Sequence, residues 1–222
     1  MTIDYFSLGH PLAALRSRYA LGMRTRMFQL FMREFQPSET LRVLDLGATP
    51  DLSLPESNFF EQLYPYPQSV TAASIEDASV LEQRFPGVRF VRIGSQGLPF
   101  PDGHFDLLFC SAVVEHVGNR QQQQAFVREA LRVTRGFFFT TPNRAFPMEF
   151  HTLLPCIHWL PQPVHQTLLR ALGKTFWART ENLNLLTTRA TRALFPAGTE
   201  LTVRSLRLFG WPSNIVAYGR CR

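Results

Sequence analysis

The chain has 222 residues, 45% of them hydrophobic, and 23 Lys and Arg against 17 Asp and Glu give it a formal net charge of +6. Such a length and apolar share fit one substantial core and exclude a disordered or disulfide-stapled chain. No apolar run reaches the ~20 residues of a membrane-spanning helix, and the basic, apolar and small-residue order of a secretory leader is missing, so a soluble cytoplasmic protein is expected.

Cys110, Cys156 and Cys221 are odd in number and far apart, with no CxxC pair and no His at metal-ligand spacing. Reduced thiols and no metal are expected. Lys174 is the single lysine. Arg16, Arg18, Arg24, Arg26 and Arg33 interleave with apolar residues at helical spacing, which reads as a solvated helix face. No basic stripe with exposed aromatics argues for nucleic acid.

In chain order, Leu12, Leu15, Tyr19, Met23, Met27, Leu30 and Phe31 recur three or four apart. They predict an amphipathic helix to Phe35, stopped by Pro37 and interrupted near Gly22. LRVLDLG reads as a buried parallel strand ending in a turn. PESNFFEQLY follows as a helix opened by Pro55 and Ser57. SVTAASI gives a second strand, DASVLEQRF a helix, PGVRFVRI a third strand and HFDLLFCSAV a fourth. A helix around 121–133 leads to a fifth strand, GFFFTT.

Residues 142–196 are too long for a plain crossover and are expected to add helices over the strand ends. LTVRSLRLFG and SNIVAYGR form a terminal antiparallel pair joined through Trp211, Pro212 and Ser213. Alternating strands and helices imply an α/β, doubly wound sheet. One domain is expected, with an N-terminal helical lid (1–38), a cofactor-binding half (39–143), a lid or substrate segment (144–198) and a terminal strand pair (199–222).

Ligands of such sheets bind beyond the carboxyl ends of the strands, which directs attention to Gly47–Asp51. VLDLG, LPFPDGHFDLLFCSAVVEHV and FFFTTPNR resemble, in order and spacing, motifs of the class I S-adenosylmethionine-dependent methyltransferases, in particular bacterial methyltransferase-11-type domains. The resemblance covers roughly 41–143. It implies a Rossmann-like seven-stranded sheet, mostly parallel with an antiparallel terminal strand, a helical lid, and S-adenosylmethionine as co-substrate.

By that resemblance Gly47 lets the backbone approach the cofactor's methionine end, and Asp45 orients the turn or takes the ammonium through water; capping of backbone amides is the equal alternative for Asp45. The chain departs from the family where GxGxG becomes Gly47, Ala48, Thr49, Pro50, Asp51. Ser74 stands where an acid usually grips the ribose, with Ile75 beside it and Glu76 able to substitute if the chain stays extended. Gly94 replaces an adenine-binding acid, leaving Ser95 and Gln96 as donors. Thr49, Asn58, Ser111, Ala112 and His116 complete the cofactor-binding set, and Glu56 joins Asn58 in the altered turn.

Asn143, Glu149 and His151 are the candidate catalytic residues, the last two as general base. Turn chemistry for Asn143 and ordinary packing for the others stand beside that reading. A small-molecule methyl acceptor, in bacterial secondary metabolism, is expected. The altered turn leaves two alternatives: intramolecular cyclisation to azetidine-2-carboxylate with release of methylthioadenosine, or a non-catalytic Rossmann-like module. The oligomeric state is not legible.

Overall fold

A computed structural model describes residues 13–94 and 97–221, with side chains of the first helix from Ser17 onward. Leu12, Ser95, Gln96 and the side chains of Leu15 and Arg16 lie outside the described residues. The chain divides into two compact units: Met1–Cys110 with Glu129–Phe138 and Arg220–Arg222, and Ser111–Arg128 with Phe139–Gly219.

In the first unit, α1 (Ala13–Phe35) runs through Gly22 without a break. A single exposed glycine costs a helix only about 1 kcal/mol, which a long packed helix absorbs. β1 (Val43–Leu46), β2 (Val70–Ser74), β3 (Arg89–Arg92) and β4 (Phe105–Ser111) follow, with the short helices α2 (Phe59–Leu63) and α3 (Val80–Arg84) between them. β1 pairs in parallel with β2 and β4, and β2 with β3. All four β1 residues are buried, which is why that strand reads as a continuous apolar run around Asp45.

The helix expected from Pro55 begins four residues later, at Phe59. Asn58 adopts a left-handed conformation with φ 51°, which an α-helix cannot continue through. Residues 55–58 form a turn instead, with the Ser57 amide donating to Leu54 O.

Phe31, fully buried, is the centre of the first unit's core. Its ring meets Phe60 of α2, Phe109 of β4 and Phe138 of the fifth strand edge-on, at 5.6, 5.3 and 5.6 Å between centroids. Phe60 in turn stacks on Phe109 at 4.6 Å.

α4 (Arg120–Arg132) leads into β5 (Thr134–Pro142). In the second unit residues 142–196 are less helical than expected. They form a two-residue hairpin, β6 (Met148–Glu149) with β7 (Leu154–Pro155), then α5 (Gln162–Ala171) and the short α6 (Thr188–Arg192). Pro147, Pro155 and Pro161 interrupt helix formation before α5.

β8 (Glu200–Leu208) and β9 (Trp211–Arg220) end the chain. Their connection is Phe209–Gly210, both at positive φ (51° and 82°), and Trp211, Pro212 and Ser213 belong to β9. A two-residue turn with both central residues left-handed matches strand twist, and Gly210 supplies one of them without strain. The Asn143 amide donates to Ser213 O and the Cys221 amide to Arg135 O, so β9 runs antiparallel to β5.

Among the described residues seven strands make one sheet in the order β3-β2-β1-β4-β5-β9-β8, the mostly parallel, Rossmann-like arrangement with one antiparallel strand. None of the described helices is long and apolar enough to cross a membrane.

Two substitutions test this account of the first unit. A Cβ at Gly22 meets nothing within 4 Å. Gly22→Ala therefore raises stability by about 0.5–1 kcal/mol in urea denaturation. Phe31→Ala lowers it by about 3–5 kcal/mol in the same measurement.

Candidate functional site

Parallel pairing brings the ends of β1, β2 and β3 together: the Gly47 amide donates to Ala73 O and the Ile93 amide to Ser74 O, both at 2.8 Å. Gly47 is exposed and has φ 106°, a conformation that only glycine adopts without strain.

Side chains hold the turn that follows. Asn58 Oδ1 accepts from the Thr49 amide, and its Nδ2 donates to Thr49 O and Asp51 O. Thr49 Oγ1 accepts from the Asp51 amide, and Asp51 Oδ1 from the Ser53 amide and hydroxyl. Asn58 is thus committed to the backbone of the turn.

The first helix closes the other side of this turn. The buried Glu56 carboxylate accepts from Ser17, while Arg24 Nη1 donates to Glu56 O at 2.6 Å and its guanidinium lies 5.2 Å from the Phe59 ring. Arg24 therefore leaves the solvated arginine face, whereas Arg18, Arg26 and Arg33 stay exposed on it.

Beneath the turn, Asp45 is 7% exposed and interacts with Glu61, 5% exposed. Burial pushes Asp45 up to about 6, against the pull of Glu61 and Arg24. Glu61 is raised well above its ordinary value, first by burial and then by the Asp45 charge. Both Glu61 oxygens are buried without a hydrogen-bond partner of ordinary geometry.

At the next strand end, Ser74 is buried and its Oγ accepts from the Glu76 amide. The chain bends at 75–76, so the extended geometry that would put Glu76 on the side of Ser74 is not adopted. Ile75 is 64% exposed, and Gly94 is exposed with nothing within 4 Å of a Cβ position.

In the second unit, Ser111 Oγ lies 2.8 Å from Thr140 Oγ1, and the Ala112 amide donates to Thr140 O. Ala112 is left-handed at φ 57°, a conformation that costs a non-glycine residue about 1–2 kcal/mol. A single 3-10 turn, 114–116, then presents Glu115 and His116. Glu115 is fully buried and its Oε2 accepts from Thr141 Oγ1 at 2.9 Å.

His116 Nδ1 donates to Asn182 O at 2.6 Å, which leaves Nε2 as the lone-pair nitrogen of the neutral ring. Burial, and after it the charge of His151, pushes His116 down to about 3. The two imidazoles meet edge to face at 4.9 Å, with Trp177 4.9 Å from His151.

Glu149 and His151 come together around the hairpin β6–β7. Glu149 Oε1 lies 2.6 Å from His151 Nδ1 and accepts from the His151 amide, while Oε2 accepts from the Thr152 amide and hydroxyl. Burial alone would raise the Glu149 pKa. The charge and hydrogen bond of His151, with the Thr152 hydroxyl, outweigh it and hold Glu149 at about 2.

Asn143 lies apart from this pair in role: Oδ1 accepts from the Ala145 amide and Nδ2 reaches Ser205 Oγ at 3.4 Å, the turn chemistry weighed from sequence. A cavity of about 10 Å³ lined by Asn143, Phe146, Glu149 and His158 has room for one water at most.

Two groupings escaped sequence reasoning. Glu61 was legible only as a helix residue, and nothing in the spacing announces its pairing with Asp45. Glu115, His116 and His151 each offer a ligand atom within 4.8 Å of the others, a cluster able to hold a metal ion although no metal-ligand spacing marks it in the sequence. His151 is separated from the other two by α4, β5 and the exit of that strand, so local spacing carries no trace of it.

Residues 51–137 match the family model described as "Methyltransferase domain". No curated protein matches the chain. Among solved structures, the PH0226 protein from Pyrococcus horikoshii OT3 is similar over 98% of this chain and 95% of its own, at 16% identity and TM-score 0.58. An S-adenosylmethionine-dependent methyltransferase from Mesorhizobium loti is similar over 88% and 98%, at 15% identity and TM-score 0.55. The N-methyltransferase NodS from Bradyrhizobium japonicum WM9, solved with S-adenosyl-L-homocysteine, is similar over 89% and 86%, at 12% identity and TM-score 0.52. At these identities the likeness is one of fold.

The Asp45–Glu61 pair carries a pH signature. Raised folded-state pKa values mean that the folded chain keeps protons which the unfolded chain releases above about pH 4–4.5. The pair's stabilising contribution is full below that range and is lost as pH rises. Glu61→Gln, which has no proton to lose, gains on the natural chain by roughly 1 kcal/mol per pH unit above pH 4.5, measured by urea denaturation from pH 4 to 7. Separately, Asn58→Ala removes three turn hydrogen bonds and puts at φ 51° a side chain that cannot bond locally to offset the left-handed strain, lowering stability by about 2–3 kcal/mol. Asn58→Gly, free of the φ penalty, loses less.

Proposed function

We propose that this chain, whose residues 51–137 match the methyltransferase-domain family model, uses S-adenosylmethionine as methyl donor toward a small-molecule acceptor. The observation that carries the reading is the exposed Gly47 turn at φ 106°, set at the end of a buried parallel strand beside the ends of β2 and β3. It is where a doubly wound sheet receives a nucleotide-like ligand.

In the first unit the proposed cofactor set is Asp45, Gly47, Thr49, Ser74, Ile75 and Gly94, with Asn58 shaping the turn; Glu76, turned away by the bend at 75–76, does not join it. Gly47 offers bare backbone to the methionine end. Ile75 offers an exposed apolar side chain suited to an adenine face, and the Ser74 region offers polar groups to the ribose. In the second unit the residues carried over from the resemblance are Ser111, Ala112 and His116. Asp45 acts from beneath, orienting the turn.

Methyl transfer is an in-line displacement at carbon with a neutral thioether leaving, so positioning and water exclusion do most of the work. An acceptor hydroxyl or amine must also lose its proton. The Glu149–His151 pair suits that step: the 2.6 Å contact at Nδ1 fixes the ring, and in the neutral ring Nε2 is the nitrogen that takes up a proton. Asn143 is proposed as a positioning residue for the loop that carries them.

S-Adenosylhomocysteine titrated into the protein by calorimetry gives a saturable heat, and Ile75→Asp, at an exposed position, weakens binding at least tenfold without lowering the melting temperature. Absence of any heat, with the fold intact by circular dichroism, defeats the reading and favours a non-catalytic module. Incubation with S-adenosylmethionine and no acceptor leaves the cofactor intact. Methylthioadenosine with azetidine-2-carboxylate would mark the cyclase instead.

A further inference from the structure

We propose that Glu115, His116 and His151 form a binding site for a first-row divalent cation of the zinc class, with Nε2 of both histidines and a carboxylate oxygen of Glu115 as ligands. Ion binding stands independently of the transferase reading. A role for the ion in activating the acceptor rests on it.

The donor set is two imidazoles and one carboxylate, the combination that zinc and its neighbours take, and one that calcium or magnesium does not select. One ligand atom from each residue lies within 4.8 Å of the others, and His116 Nε2 is 4.0 Å from Glu115 Oε1. Around a tetrahedral ion with bonds of about 2.0–2.1 Å, ligand atoms sit about 3.3 Å apart. Side-chain rotations that close the His116–Glu115 contact by about 0.7 Å, and the other ligand separations by at most about 1.5 Å, would seat the ion.

The surroundings are those that orient metal-binding side chains. His151 Nδ1 is held by Glu149 Oε1 and His116 Nδ1 by Asn182 O, each at 2.6 Å, so both rings direct the opposite nitrogen elsewhere. A carboxylate or carbonyl behind each histidine fixes its tautomer and raises its basicity as a ligand. Thr141 holds Glu115 Oε2, and the Asn184 amide donates to Glu115 O, which steadies the 3-10 turn.

Three protein ligands leave a fourth tetrahedral position. An acceptor oxygen bound there would lose its proton more readily, and the ion would stabilise the resulting anion. In that form His151 serves as ligand, and Glu149 is the positioning residue behind it.

The test uses the full chain, stripped with a chelator and dialysed against Zn²⁺, with metal content measured by mass spectrometry. One equivalent binds. His116→Gln and His151→Gln each weaken binding at least 100-fold, Glu149→Gln weakens it about 10–100-fold, and His165→Ala leaves it unchanged. Co²⁺ gives intense visible absorption of a four-coordinate ion, lost in the first two variants. Circular dichroism verifies the fold of each. No zinc bound to the folded chain, or binding that survives His116→Gln and His151→Gln together, overturns the inference. S-Adenosylhomocysteine titrations on the same samples separate the two failures: cofactor without zinc removes the ion alone, and zinc without cofactor removes the transferase reading alone.

Discussion

The ring of Phe31 has no exposed surface and meets three other phenylalanines edge-on, from α2, β4 and β5. An edge-to-face contact constrains angle as well as distance, because the positive rim of one ring must meet the negative face of another. The first helix therefore has a set rotation in the first unit as well as a set distance. Ser17 and Arg24 share that helix, so the same rotation delivers them to Glu56. The turn after β1 takes its position from a core contact and its shape from side chains.

The turn keeps that shape with Gly47 as its single glycine. Glycines let a loop bend close to a ligand but leave it loose in the unfolded chain, at an entropic cost on ordering. Here Asn58, Thr49 and Asp51 bond to the loop's own backbone, and Pro50 restricts it further. The remaining freedom is concentrated at Gly47. Directly below, burial raises both Asp45 and Glu61, so this pair gives up its protons at higher pH than carboxylates in water do.

The strands were legible because parallel sheets buried on both faces leave long apolar runs, as in VLDL and FFFTT. The first helix was legible from its Met23, Met27, Leu30 and Phe31 spacing. Gly22, Pro55 and Trp211–Ser213 misled for a common reason: local preferences there are worth about 1 kcal/mol, and tertiary packing or a left-handed neighbour outweighs them. At the candidate sites, the turn at Gly47 was legible in short-range pattern, and Glu149 and His151 were each singled out there without their contact. Asp45–Glu61 and Glu115–His116–His151 did not, since each depends on a contact between segments that fold from different parts of the chain.

The two outermost strands of the sheet, β3 and β8, present exposed arginines: Arg89 and Arg92 on one, Arg204 and Arg207 on the other. An open strand edge is a template for another chain's backbone, and like charges along it make such pairing unfavourable. Arginines along both edges thus disfavour strand-to-strand addition of neighbouring copies, and high-salt conditions that screen charge are where that effect weakens.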